Sequence, residues 1–334
     1  MSVGVIAAVV IVIVAVASVS AYVVFFRGGG PEIVRIDGSS TVAPITTSWA
    51  GEFNNPGRQV TVAISGTGGG FAAFCRGETD LSDASRPIRP ADSNPATTTE
   101  TEACTANGIT NITAFKIGYD GLSIVVDIDN TFVGNLTIQQ LCRIFTSNTS
   151  AGACGGAGGK VTQWRELNPG NPSWPQADIK LFSPGTASGT FDFFVEKILT
   201  PTKDTPMRTD NLQTSENDNV LVSGIAADPN ALGYFGHAYV VENADKVKAI
   251  GVDRGSGPIM PTETTIRDGS YPLSRPLYIY GAKTHPQGLS LTRTVVKDFL
   301  RFGFTGRGVQ LVGETGYVAL LPAEVTTEAV KIPP

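Results

Sequence analysis

The sequence predicts an α/β protein with parallel sheets, on three observations. Short β-like runs alternate with amphipathic helical stretches along most of the chain, the pattern of repeated strand–helix–strand units. The points where strand gives way to helix are rich in Gly, Ser and Thr, which suits turns and helix starts. With 334 residues, 41% of them hydrophobic, the chain can bury a large core, and its length suits two lobes.

The elements follow in order. "EIVRID" (32–37) reads as a strand, and "GSST" leads into a helix with Val42, Ile45, Trp49 and Phe53 on one face. "QVTVAIS" (59–65) alternates like a strand and runs into "GTGGGFAAF", while "DLSDASRPI" (80–88) reads as a strand end followed by a turn. "LSIVVDI" (122–128) is a buried strand and "LTIQQLCRIF" (136–145) an amphipathic helix. "DIKLF" (178–182) is followed by "SPGTASGTFDFF", with a helix beginning near Thr190. "ALGYFGHAYV" (231–240) reads as a glycine-broken strand region. "RPLYIYG" (275–281) is a strand, and "LTRTVVKDFLRFGF" (291–304) a closing helix with Val295, Val296, Phe299 and Leu300 inward. Gly/Pro-rich segments at 152–160, 168–175 and 253–261 read as surface loops.

Before the first strand, an uncharged apolar stretch runs from Val3 to Phe26 and ends at Arg27. It is long enough, at about 20 residues or more, to span a bilayer as a helix. The reading adopted is a retained anchor over 1–27 with a linker over 28–32. A signal peptide cleaved near Ala17 or Ala21 is the alternative, against which stand the missing basic n-region and the apolar residues Tyr22–Phe26. Four cysteines after an export-type segment suggest two disulfides, and local pairing, Cys75–Cys104 and Cys142–Cys154, is expected among three connectivities. No CxxC occurs and the histidines are His237 and His285 alone, so no metal site is expected. His237, in a glycine-rich stretch, reads as a packing residue. Sequons at Asn111, Asn135 and Asn148 fit an exterior location.

Charge narrows the function classes. The net charge is −5 and no basic run occurs, which argues against nucleic-acid binding. An anionic ligand would have to be captured by directed local donors. Four junctions offer them: Gly38-Ser39-Ser40-Thr41, Ser65-Gly66-Thr67-Gly68-Gly69-Gly70, Asp83-Ala84-Ser85-Arg86, and Thr186-Ala187-Ser188-Gly189-Thr190. Free backbone N–H groups at a helix start bind anions without a formal cation, and hydroxyls add donors that rotate to fit. The competing use of any one junction is an ordinary N-cap. No serine sits in a G-x-S-x-G elbow, and "SGTGGGF" lacks the lysine of a nucleotide-binding loop. Binding without chemistry, and no cofactor, is the reading these residues favour.

Taken together, "IDGSSTVAPI", "AISGTGGGFAAFCRGETDLSDASRPI", "YDGLSIVV", "LFSPGTASGTFDFF" and "SENDNVLVSGIAADPNALGYFGHAYV" resemble the PstS family of phosphate-binding proteins. The resemblance runs from residue 33 to about 320. It implies a two-lobed periplasmic-binding-protein fold of type II, closing about a hinge over one inorganic phosphate. It implies delivery of phosphate to the membrane permease of an ABC importer, with the globular part outside the cell. Hinge crossings are expected near Tyr119–Leu122 and Arg275–Tyr280, giving one lobe of 33–118 plus 278–330 and another of 119–277. A monomer is expected. The readings kept beside it are a receptor for sulfate or arsenate, and an extracellular phosphoester hydrolase using Ser188 or Ser40.

Carried over residue by residue, the resemblance implies ligand contacts from Ser39, Ser40, Thr41 and Val42, from Ser65, Gly66 and Thr67, and from Ser188, Gly189 and Thr190. Phe191, Phe194 and Val195 are expected to lock the last helix into its lobe. Well-studied members of the family carry an aspartate where this chain has Ser85, and an arginine where it has Pro184. The positive charge is therefore expected from Arg86, whose competing use is an ion pair with Asp83 or Asp80. Asp83, then Asp37 and Asp120, are the candidates for the buried acceptor that rewards a protonated phosphate over sulfate.

Overall fold

The computed structural model describes residues 31–91, 99–186, 188–202 and 207–334. The apolar segment and the first residues of the linker, through residue 30, lie outside them, as does Ala187 of the fourth junction. No helix among the described residues is long and apolar enough to cross a membrane.

Strand β1 (Glu32–Gly38) leads into α1 (Ala43–Phe53), and β2 (Arg58–Ala63) into α2 (Gly66–Cys75). Strand β3 (Leu81–Ala84) ends at the Ser85-Arg86 turn, and α3 (Glu100–Ala106) precedes the long β4 (Thr110–Asp127). Then come β5 (Asn135–Thr137), α4 (Ile138–Phe145), β6 (Lys180–Pro184) and α5 (Gly189–Phe194), which continues as a π-helical turn, Val195–Leu199. Strand β7 (Leu212–Ser215), α6 (Asp218–Ile225), β8 (Ala231–Gly236), α7 (His237–Glu242), β9 (Val247–Ala249), β10 (Gly251–Asp253) and β11 (Pro258–Ile259) follow. Helix α8 (Glu263–Arg267), β12 (Ser274–Thr284), α9 (Thr294–Gly303), α10 (Gly306–Glu314) and α11 (Pro322–Ala329) complete the chain.

Local chemistry accounts for these boundaries. Pro44 opens α1 where no backbone donor is needed, and Ile45, Trp49 and Phe53, four residues apart, form its buried stripe. Helices α3 and α4 each begin with a capping box, Thr99 with Glu102 and Thr137 with Gln140.

One mixed sheet runs through both lobes in the order β2-β1-β3-β12-β4-β8-β6-β7, with β9 also on β4. The flanks of this sheet pair in parallel, β1 with β2 and β3, and β6 with β7 and β8, whereas β12 and β4 run antiparallel to β3 and β8, and a separate small sheet holds β11, β10 and β5. Between them β12 and β4 run antiparallel to each other, from Ser274 opposite Gly121 to Thr284 opposite Thr110, with a one-residue register shift between Leu277 and Tyr278. These two strands join the two halves of the sheet. The parallel expectation therefore holds for the outer strands and fails where β12 and β4 join them and in the β10–β11 pair. In the first lobe Trp49 and Phe53 meet Phe299 edge to face at 6.0 and 5.4 Å. In the second, Phe194 stacks on Tyr234 at 4.0 Å with Phe145 alongside. Disulfides join Cys75 to Cys104 and Cys142 to Cys154, as expected.

Three expectations need correcting. The strand read as 122–128 spans Thr110–Asp127; the part before Leu122 contains Gly118 and Gly121 and begins partly exposed, so its pattern is weak. "ALGYFGHAYV" is not one broken strand, because the chain leaves the sheet at Gly236 and residues from His237 form α7. The 253–261 loop contains β11, which pairs with β10. His237 packs as expected, buried with Nδ1 3.2 Å from the Ser123 hydroxyl.

Candidate functional site

A cleft of about 190 Å³ opens where the carboxyl ends of β1, β2 and β3 face α5 of the other lobe, as expected for an open α/β sheet. It is lined by Ser39, Ser40, Thr41, Gly66, Thr67, Ser85 and Arg86 from the first lobe. Asp192, Glu196 and Arg275 complete it. Three of the four junctions thus converge, although up to 47 residues separate them in sequence.

Glycine makes the convergence possible. Gly38 has φ +153, and a β-carbon there would sit 2.0 Å from the Asp83 carbonyl oxygen. That carbonyl accepts from the Ser39 amide at 3.0 Å, which ties the first loop to the third. Across the cleft, a β-carbon on Gly189 would lie 2.4 Å from the Thr41 hydroxyl oxygen, so the lobes meet at backbone distance.

The hydroxyls form a connected set. Thr67 Oγ1 lies 3.1 Å from Ser85 Oγ and accepts from the Ser85 amide at 3.2 Å. Arg275 Nη1 donates to Ser85 Oγ at 3.2 Å and Nη2 donates to Thr41 Oγ1 at 2.7 Å. Ser40 Oγ donates to Asp192 at 3.1 Å.

Arg275 is the residue that sequence reasoning missed. It sits at the start of β12 and reaches residues from both sides of the cleft. Nε donates to the fully buried Asp120 at 3.1 Å, Nη2 reaches the Gly189 carbonyl at 3.4 Å, and Glu196 lies 3.5 Å from Nη1. Its guanidinium stacks on Phe193 at 3.8 Å from the ring centroid. No sequence motif marks it, because its nearest partner in sequence, Glu196, lies 79 residues away; pairing β12 with β4 alone brings it to Asp120.

Arg86 also lines the cleft, but its guanidinium is engaged at the rim. It forms a two-point ion pair with Glu100, at 2.9 and 2.7 Å. Neither Asp83 nor Asp80 is its partner: Asp80 pairs with Arg293. Pro184, where an arginine was noted to be missing, is buried at the end of β6 and contributes no charge.

The other predicted residues divide as follows. Val42 is buried and its amide donates to the Ser39 carbonyl at 3.1 Å. Ser65 is exposed beside the cleft, its amide held by Asp37 at 3.0 Å. Ser188 caps its own helix, accepting from the Thr190 amide at 3.2 Å. With Thr190 it lines a neighbouring cavity, shared with Asp218, Tyr239, Glu314 and Tyr317. Gly189 lies between the two cavities. Among the helix residues, Phe193 and Phe194 are fully buried, while Phe191 and Val195 are only partly so.

The three candidate acceptors are likewise engaged. Asp37 holds Ser65, Asp120 holds Arg275, and Asp83 accepts from the Thr46 hydroxyl at 2.6 Å, away from the cleft lining. Burial pushes Asp83 up to about 8, against the opposing hydrogen bond from Thr46. Burial also raises Asp120, with Arg275 acting the other way. The carboxylates that do line the cleft are Asp192 and Glu196, four residues apart on the second lobe.

A pair of α/β lobes around a cleft of hydroxyls, glycines and two guanidinium groups, one of them ion-paired at the rim, defines a class, the bilobed solute-binding proteins. A family model described as a PBP superfamily domain matches residues 27–306. A phosphate-binding protein PstS of Staphylococcus saprophyticus is 37% identical over 310 residues, covering 91% of this chain and 86% of its own. Protein SphX of Synechococcus elongatus is 37% identical over 301 residues, covering 89% of this chain and 80% of its own. Among solved structures, that of a possible phosphate binding protein from Planctomyces limnophilus superposes with TM-score 0.75 at 38% identity, covering 91% of this chain and 98% of its own. The chain belongs to the PBP superfamily and, within it, to the PstS family of phosphate-binding proteins.

Proposed function

We infer that this protein is an extracytoplasmic receptor that binds inorganic phosphate between its lobes and delivers it to the membrane subunits of an ABC importer. The observation that supports this most is the cleft itself: Ser39, Ser40, Thr41, Thr67 and Ser85 from the first lobe surround the Arg275 guanidinium. Such a set offers neutral donors that rotate to a tetrahedral anion, plus one fixed cation. No nucleophile-and-base pair accompanies it, so we read a receptor and not an enzyme. The lobes are taken as 33–118 with 278–330, and 119–277. The chain acts as a monomer, and residues 1–27 hold it to the membrane.

We assign ligand contact to Ser39, Ser40, Thr41, Gly66, Thr67, Ser85 and Arg275. Arg86 lines the rim of the cleft, its charge offset by the pair with Glu100. Ser188, Gly189 and Thr190 present the second lobe's face, and Val42 and Ser65 support the loops. Asp83 braces the first lobe through Thr46. The acceptor role passes to Asp192: phosphate keeps at least one proton at neutral pH and can donate to it, whereas sulfate cannot. Asp192 is exposed in this structure, so the cost of about 1–3 kcal/mol for an acceptor left without a donor applies once the lobes close over the ligand.

Calorimetric titration with phosphate and sulfate tests this reading. Phosphate should bind at least a hundredfold more tightly, and Asp192→Asn should shrink that ratio at least tenfold. Equal affinities in the unaltered protein would point to a general oxyanion receptor instead.

A further inference from the structure

On the hinge, a second polar cluster lies apart from the ligand cleft. Its centre is Glu324 of α11. The carboxylate accepts from the Tyr119 hydroxyl and, at 2.9 Å, from the Leu321 amide. Lys116 lies 3.4 Å away on the first-lobe side. Arg267 of α8, on the second-lobe side, lies 3.4 Å away, and its Nη2 also donates to the Ala319 carbonyl at 2.8 Å.

The placement of these partners gives the cluster a mechanical meaning. Tyr119 exchanges both backbone hydrogen bonds with Val318, each 2.9 Å, so residues 318–324 are fastened to one side of the hinge crossing. Two residues on, Gly121 leaves room for Ile266, whose side chain would lie 2.3 Å from a β-carbon there. Helix α8 is therefore seated on the other side of the crossing. Arg267 spans the two, gripping the C-terminal segment at Ala319 and Glu324. Its side chain is 15% exposed and that of Glu324 23%, so the pair is partly shielded from solvent. Side chains alternate along a strand, so Tyr119 points to this cluster while its neighbour Asp120 points to Arg275 in the cleft.

We propose that the Arg267 grip on Ala319 and Glu324 is a strap across the hinge that restrains lobe opening and slows ligand release. Opening rotates α8 against residues 318–324, and Arg267 must release at least one of its two partners for that motion. The strap acts on the hinge strand next to the residue that positions Arg275. It does not touch the ligand. Lys116 contacts Glu324 and donates to the Tyr119 hydroxyl at 2.6 Å, so both of its contacts fasten α11 to β4 and neither reaches α8.

The test uses the full chain with one spin label on each lobe, introduced by Arg301→Cys and Glu242→Cys at exposed positions. All four native cysteines are in disulfides and leave these sites selective. Arg267→Ala and Glu324→Gln should lengthen or broaden the unliganded interlobe distance and raise the phosphate release rate at least threefold. Lys116→Met should do neither, and Arg267→Lys, which retains charge near Glu324, should fall between. Unchanged distances in both Arg267→Ala and Glu324→Gln, with melting confirming folded protein, overturn the strap. So does a Lys116→Met effect equal to that of Arg267→Ala, which reduces the cluster to an anchor for α11. The distance readout requires no ligand, so it stands even where the phosphate reading fails.

Discussion

At the scale of single residues, buried charge decides most of what this chain does. Arg275 can hold a cation in a half-closed cleft because Asp120 and the Phe193 ring flank it, so its desolvation is offset on two sides. Asp83 shows the opposite case. Its Oδ1 is buried with no hydrogen-bond partner, and burial lifts its carboxyl from an ordinary value near 3.8 to about 8. The folded state then binds a proton that the unfolded state releases between these values. Stability therefore falls as pH rises from about 4 to 8, the slope following the difference in bound protons. Asp83→Asn keeps an acceptor for Thr46 and carries no charge. It should raise the melting temperature at pH 8 and flatten its decline from pH 5 to 8. A variant that melts lower than the parent at pH 8 would refute this account of Asp83.

At the scale of elements, the loop-to-helix junctions were legible in the sequence because their requirements are local. Small residues and hydroxyls after a β-like run mark a helix start whatever the rest of the chain does. The cleft-lining residues Ser39, Ser40, Thr41, Gly66, Thr67, Ser85 and Arg86 all fall in such junctions. The helix start at Gly189 was legible too, but its partition was not. Whether Ser188 faces one cavity or its neighbour depends on how α5 meets Thr41. Asp192 stood in plain view within "SGTFDFF" yet carried no local signal, since an acidic residue in a first helical turn is ordinary. The close approach at Gly189 yields an element-level prediction. Gly189→Ala places a methyl 2.4 Å from Thr41 Oγ1 and must hold the lobes apart. Phosphate affinity should drop at least tenfold with little change in melting temperature. Undiminished affinity would mean that the Thr41–Gly189 contact is not part of the liganded state.

At the scale of the whole molecule, the two-lobed architecture followed from length and alternation, while the hinge chemistry did not. Strands β4 and β12 lie about 160 residues apart in sequence. Their antiparallel pairing alone brings Arg275 to Asp120, and no period or propensity in either strand reports the other's register. The same pairing sets Tyr119 and Arg267 at a shared cluster. The molecule carries a net charge of −5, so its overall field does not draw in an anion. Capture falls to directed donors at short range, and the hinge brings the two halves of that donor set together. The central claim is therefore positional: phosphate binds between the lobes, against Arg275. A crystal structure of the protein grown with phosphate tests it most directly. The account predicts one phosphate within hydrogen-bond distance of Arg275, Thr41 and Ser85, with Asp192 facing one of its oxygens. Phosphate lodged only in the cavity of Asp218 and Tyr317, or held by Arg86 with Arg275 unengaged, would contradict it.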